Sequence, residues 1–241
     1  SPSSSSSSAP PSSSRAFHLF PSRDNRYKKG EEVYTSYGRR TNGELLLSYG
    51  FSILDNEHDC VDLPMPGIPS PPSWFGASLA RLGNNSSSSS SGKEIEVGDV
   101  FTASHALPAG ATGTKLELLA YFRALVTCRV FKDEDEEEVG KTIDYLRPFS
   151  SVLHEKEALQ ALLAQVEGAL ASFPTTLEED EVALNECMTG KGGKEEGSVN
   201  ASCQMAALTY RLTRKRILRH HLGLVQKEIQ ALEKEEGRGN N

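Results

Sequence analysis

The stretch from Ala201 to Glu235 constrains this chain most. Met205, Leu208, Leu212, Leu218, Leu222, Val225, Ile229 and Leu232 recur at steps of three and four, and Lys215 fills the one apolar site missing between Leu212 and Leu218. That period places side chains on one face of an α-helix and predicts a long helix packed along that face. At about 1.5 Å per residue it would extend roughly 50 Å, with its C-terminal end projecting or fraying.

Two further helices are written upstream. Leu116, Leu119, Ala120, Phe122, Arg123 and Val126 give a helix with one apolar face. Leu159, Leu162, Leu163, Val166 and Leu170 give another over Glu155–Phe173. A third begins at Thr175-Thr176-Leu177-Glu178-Glu179. There Thr175 with Glu178, or Thr176 with Glu179, fits a capping box, in which hydroxyl and carboxylate satisfy orphan amides. The acidic run Asp133–Glu138 and the segment Gly190–Ser198 read as solvated loops.

The first 63 residues differ in character. Phe17 and Leu19 alternate, which suggests a short strand over Ala16–Phe20. Lys28-Lys29-Gly30 is a turn signal. Glu31–Tyr37, with Val33, Tyr34 and Tyr37, reads as a second strand. Glu44–Tyr49 carries three consecutive leucines and reads as a short buried helix that Gly50 ends. Val61–Leu63 is a further candidate strand. The fold class is therefore α+β: a short β-rich block followed by a mostly α-helical domain.

Only 37% of the 241 residues are apolar, and the deficit is local. Residues 1–14 hold ten serines, three prolines and one alanine, and Ser86–Ser91 is a second serine run. Neither can bury enough apolar surface to offset chain entropy. Five of the twelve prolines fall between 64 and 72, so residues 64–100 read as a linker, with a short helix within Trp74–Leu82 and a strand within Glu94–Phe101. Residues 1–29, rich in Ser, Pro and basic side chains, have the composition of a plastid transit peptide. A solvated loop leading into a strand explains them as well and is preferred, since no cleavage-like boundary precedes the ordered block.

A net charge of −7 argues against a general nucleic-acid binder. No apolar run approaches the roughly 18 residues of a membrane-spanning helix. Cys60, Cys128, Cys187 and Cys203 form no CxxC pair, which disfavours a disulfide scaffold or zinc ribbon and fits an intracellular, reducing compartment. Cytoplasm, nucleus and plastid are not distinguished. His220 and His221 are adjacent, so on a helix they point about 100° apart and make a poor metal chelate.

Several motifs carry a resemblance. Gly30-Glu31-Glu32-Val33-Tyr34-Thr35-Ser36-Tyr37-Gly38, then Thr41-Asn42-Gly43-Glu44-Leu45-Leu46-Leu47-Ser48-Tyr49-Gly50-Phe51, then Asp55-Asn56 and Asp59, resemble the end of a SET domain of the Rubisco large-subunit lysine methyltransferase subgroup. Leu118–Arg123, Phe173–Asp180 and Arg214–Leu218 resemble the helical substrate-binding domain that follows SET in that subgroup. In the last block Arg214 stands where a glutamate is usual before the lysine, so pairing there should differ. The glycine-rich segment and Asn-His pair of a complete SET domain do not appear before Tyr37; Phe17-His18 lacks the asparagine. The first residue is serine rather than methionine. The expectation is a fragment, or a processed product, without the front of the SET domain. The implied layout is a disordered 1–14, a SET tail over 15–63, the linker 64–100, the substrate-binding domain over 101–236 and a disordered 237–241.

The resemblance implies a protein-lysine N-methyltransferase using S-adenosylmethionine, a protein substrate held by the helical domain, and a monomer with no metal, nucleic-acid or membrane partner. Histidine methylation also occurs among related enzymes. A free lysine has a pKa of about 10.4, so its amine must be desolvated and aligned before it can attack a methyl carbon. A tyrosine hydroxyl suits that work: it is uncharged, donates or accepts, and sits on a stiff ring. Tyr37 matches the family's catalytic tyrosine, and Tyr49 a second aromatic associated with lysine and cofactor. Asn42 and Glu44 are expected to cap and anchor the short helix, and Phe51 to belong to the core. Two other readings compete. One is a non-catalytic interaction module built on the helical domain. The other is nucleic-acid binding through Arg211, Arg214, Lys215, Arg216 and Arg219, against which stands a solvated basic face that complements acids such as Asp133–Glu138.

Overall fold

The computed structural model describes residues 27–65, 106–130, 145–189 and 199–239. The predicted strands at 16–20 and 94–101, the helix at 74–82, the serine runs, the acidic run 133–138, the loop 190–198 and the tail beyond 239 lie outside them. The chain divides into two compact units, Ser1–Gly38 and Arg39–Asn241.

In the first unit the described residues are irregular. Lys28-Lys29-Gly30 makes the predicted turn: the Glu31 amide donates to the Lys28 carbonyl at 3.1 Å, and Gly30 takes φ +89°. The strand predicted over Glu31–Tyr37 is absent. A strand exists only through ladder bonds to a partner, and among the described residues none forms a ladder with this segment. Val33 and Tyr34 are correspondingly exposed.

The second unit is α+β, with helices predominating. Its elements are α1 (Asn42–Tyr49), β1 (Cys60–Asp62), β2 (Ala106–Pro108), α2 (Leu116–Val130), α3 (Val152–Ala171), α4 (Leu177–Met188) and α5 (Val199–Gly239). β1 and β2 pair antiparallel, with Val61 opposite Leu107. β1 falls one residue before the predicted strand, and β2 was not anticipated. A three-residue strand with one buried side chain, here Leu107, leaves no alternation for a sequence to display.

α5 is the long helix foreseen from the apolar repeat. α3 and α4 both pack against it, and α2 packs against α3. The main core joins Val61 and Leu107 of the small sheet to α2, to Leu159, Leu162 and Val166 of α3, and to Leu218, Val225 and Ile229 of α5. A smaller core joins Leu177 and Leu184 of α4 to Leu208 and Leu212 of α5.

α2 departs from the one-faced helix predicted. Every residue from Leu118 to Thr127 is buried, so this helix runs through the middle of the core. Arg123 goes in with it. Its guanidinium meets Glu155 of α3 through Nε and Nη2, and Nη1 donates to the Tyr145 carbonyl at 2.8 Å. Glu155 also accepts from the Phe149 amide at 3.0 Å. The two side chains are only 2% and 6% exposed.

Breaking a pair so deeply buried strands a charge, which costs about 3–5 kcal/mol. Arg123→Met should lower unfolding free energy by that order in a urea titration. The double variant Arg123→Met/Glu155→Met should recover a large part of the loss. A fully additive double variant would show that the two charges do not depend on each other.

Candidate functional site

The predicted site residues fall on both units. Tyr37 belongs to the first unit and is 50% exposed. The Gly38 amide beside it donates to Ser36 Oγ at 3.1 Å, and Gly38 takes φ +78°. Tyr34 donates its hydroxyl to Glu32 at 2.6 Å, and that bond holds the phenol above its usual pKa.

Tyr49 is the last residue of α1, in the second unit, and is also 50% exposed. Its ring centroid lies 6.3 Å from that of Phe51. α1 forms here because both of its ends are specified. Thr41 and Glu44 form a complete capping box, and Gly50 closes the helix in the left-handed conformation while its amide donates to the Leu46 carbonyl. The hydrogen bonds from the Thr41 amide and Arg40 lower the Glu44 pKa. The three leucines are not equally buried as predicted: Leu45 is core, whereas Leu47 is 89% exposed.

Asn42 is fully buried at the start of α1. Its amide side chain exchanges two bonds with the backbone of Ile53: Oδ1 accepts from the Ile53 amide and Nδ2 donates to the Ile53 carbonyl, both at 2.9 Å. Nδ2 also donates to Asp59 Oδ2 at 2.9 Å and to Thr213 Oγ1 of α5 at 3.2 Å. The Asn42 backbone amide donates to Asp59 Oδ1 at 2.9 Å. Asn56 Nδ2 donates to Asn42 Oδ1 at 3.2 Å and to the Arg40 carbonyl at 2.9 Å. The Asn42, Asn56 and Asp59 positions of the sequence motif therefore meet in space, with a threonine from α5 that no sequence motif pointed to.

The basic cluster of α5 is braced internally. Lys215 is buried, and its ammonium donates to Asp180 Oδ2 at 2.6 Å, to Thr175 Oγ1 at 2.8 Å and to the Thr176 carbonyl at 2.9 Å. Arg211 Nε reaches the same carboxylate at 2.9 Å. Burial alone would raise the Asp180 pKa, but the bonds from Arg211, Lys215 and Thr175 outweigh it and hold the carboxyl below its usual range. Arg216 pairs with Asp55 at 3.1 Å and Glu181 at 2.9 Å, and Arg219 with Glu178 at 2.9 Å. Arg214 stacks over Tyr210 and donates to its hydroxyl at 3.0 Å. Among the described residues, the acids that complement the cluster are Asp55 and those in the first turns of α4. Of the two capping boxes the sequence allowed, Thr176 with Glu179 forms, which leaves the Thr175 hydroxyl for Asp180 and Lys215.

A cavity of about 340 Å³ opens beside Asp55, Asn56, Ala109, Arg216, Ile217 and His220. His220 Nε2 lies 2.6 Å from the Ala111 carbonyl and His221 Nε2 lies 2.9 Å from that of Pro108, so His221 holds the end of β2, and His220 the turn after it, to α5. Among the described residues no group of three or more His, Cys, Asp or Glu is placed to hold a metal ion.

Among the described residues, Tyr37 and Tyr49 do not by themselves enclose an S-adenosylmethionine. A cofactor site buries most of its ligand, whereas half of each tyrosine faces solvent and the residues flanking Tyr37 are exposed too.

The family model for the Rubisco LSMT substrate-binding domain matches residues 88–218, more than half of the chain, and the chain belongs to that family. The fold is similar to that of a solved Rubisco LSMT bound to sinefungin and monomethyllysine, with a TM-score of 0.51 and 19% identity over 85% of this chain. The match spans 43% of that chain's length. No curated protein matches by sequence.

His221 gives this region a pH dependence. Burial, first of all, pushes its pKa below the usual imidazole value; the bond to the Pro108 carbonyl opposes that shift, and His220 adds to it. Its stabilising contribution is therefore complete above about pH 6.5 and is lost as pH falls through the lowered value. Denaturant midpoints measured from about pH 7.5 down to about pH 5 should fall more steeply for the native protein than for His221→Gln. Parallel curves would remove His221 as the titrating group.

Proposed function

We propose that these residues are the substrate-binding domain, with the tail of the SET domain, of an S-adenosylmethionine-dependent protein-lysine N-methyltransferase. The match to the substrate-binding family over 88–218 carries this reading. The likeness to an enzyme bound to sinefungin, an analogue of S-adenosylmethionine, and to monomethyllysine supports the cofactor and the acceptor. In this reading residues 15–63 are the SET tail, 64–100 the linker and 101–236 the substrate-binding domain. Tyr37 and Tyr49 are the site residues: their hydroxyls orient the acceptor nitrogen and complement the changing charge around it. The helical domain holds a protein substrate. The protein works as an intracellular monomer without a membrane or nucleic-acid partner.

The open setting of both tyrosines favours a second reading, in which the helical domain is a protein-interaction module and the tyrosines do no chemistry.

Two measurements separate the readings. Calorimetric titration of the 241 residues with S-adenosylmethionine should give no saturable heat at micromolar protein; micromolar binding would refute the view that the cofactor cradle lies elsewhere. In the full-length gene product, transfer of a radiolabelled methyl to Rubisco or to lysine peptides should fall about 100-fold in kcat with Tyr37→Phe. Unchanged turnover would remove Tyr37 from the chemistry, and no methyl transfer at all would leave the interaction module as the better reading.

A further inference from the structure

We propose that Asn42 is a positioning residue that sets the placement of Tyr49 relative to α5. The inference rests on the reading of Tyr49 as a site residue. Tyr49 lies inside a loop of chain that Asn42 closes. The loop leaves Asn42, runs through α1 to Tyr49, turns at Gly50 in the left-handed conformation and returns to Ile53. There the Asn42 amide binds both polar groups of the Ile53 backbone, as a neighbouring strand would. The same amide donates to Thr213 Oγ1 on α5 and to Asp59 Oδ2 just before β1. Thr213 is fixed in turn, since its hydroxyl lies 3.0 Å from the Thr209 carbonyl.

One buried side chain thus joins the Tyr49 loop to the helix that organises the whole unit. Its hydrogen bonds are directional, and those to Asp59 and Thr213 are buried away from water. Phe51, within the same closed loop, lies against the Tyr49 ring. Asn42 itself never needs to approach a substrate. It acts through the loop, and its loss should free Tyr49 while leaving the helical core in place.

The test uses the chain labelled with 3-fluorotyrosine, the Tyr49 resonance being assigned by its disappearance in Tyr49→Phe. In Asn42→Ala that resonance should shift or broaden beyond its own linewidth, while those of Tyr121 and Tyr145 in the core stay in place. Amide exchange at Gly50, whose N–H bonds Leu46 and not Asn42, should speed by about tenfold. Thr213→Val, which removes only the tie to α5, should move the Tyr49 resonance in the same direction and by less. Asn42→Asp puts an acceptor where Ile53, Asp59 and Thr213 receive a donor and should disturb Tyr49; adding Asp59→Asn re-forms only the bond between positions 42 and 59 and should leave the resonance displaced. If Asn42→Ala unfolds the unit, Thr213→Val and the Asn42→Asp/Asp59→Asn pair decide by the same readouts. A Tyr49 resonance and a Gly50 exchange rate that stay native in the folded variants would overturn the proposal. Full turnover of Tyr49→Phe in the full-length gene product would instead remove the role of Tyr49 and leave its coupling to Asn42 standing.

Discussion

The Asp180 carboxylate is the contact on which the arrangement of α4 and α5 depends. It sits in the first turn of α4, fully buried, and receives Lys215 and Arg211 from α5. An ammonium removed from water is costly unless its hydrogens are met. Here Asp180, the Thr175 hydroxyl and the Thr175 and Thr176 carbonyls meet them, and the Phe173 ring lies 5.2 Å from the nitrogen. The helix N-terminus also favours an acid at this place. The apolar contact between the two helices rests on a small cluster, Leu177, Leu184, Leu208 and Leu212. Apolar burial of that kind is non-directional and would accept a shift of one turn. The Lys215–Asp180 bond would not.

The same division of labour recurs at the other junctions. Between α2 and α3 the apolar core is extensive, and Arg123 with Glu155 picks out one register within it. Between α1 and α5 there is little apolar contact, because α1 buries only Leu45 among its leucines, so the Asn42, Asp59 and Thr213 cluster carries the orientation almost alone. Each of these three junctions therefore has a buried polar knot whose members come from different elements. Such a knot contributes modestly to net stability, yet it is severe toward alternatives, since any slip leaves a buried donor or charge without a partner.

This explains what was legible in the sequence. Periodicity is a property of one element, so α5, α3 and the ends of α1 and α4 could be read from apolar spacing, capping residues and Gly50. Lys215 stood out as an interruption of the apolar repeat, but nothing in the repeat said whether it was solvated or buried. Its answer lies 35 residues away at Asp180. Glu155 is 32 residues from Arg123, and Thr213 is 171 from Asn42. Pairings at such separations leave no local pattern. The failed strand at Glu31–Tyr37 makes the converse point: β-favouring side chains describe a fit to a sheet, and they do not supply one. Of the site, Asn42 and Glu44 are legible as anchors of α1, and the structure uses them so. The placement of Tyr37 and Tyr49 could not come from α1 or the SYG motif alone.

The pairing of the basic residues also bears on what α5 can bind. Arg211, Arg214, Lys215, Arg216 and Arg219 lie within nine residues, a density that on an open helix face would attract polyanions. A phosphate backbone arriving at this face would meet Arg211 and Lys215 already committed to Asp180, Arg216 shared between Asp55 and Glu181, and Arg219 paired with Glu178. To recruit them it would have to displace carboxylates and leave Asp180 uncompensated in the core. It would also approach a face on which Glu178, Glu181 and Asp55 remain as negative charges. The cluster therefore braces α4 and the Asp55 loop against α5, firmly through the buried Lys215–Asp180 bond and weakly through the exposed pairs of Arg216 and Arg219.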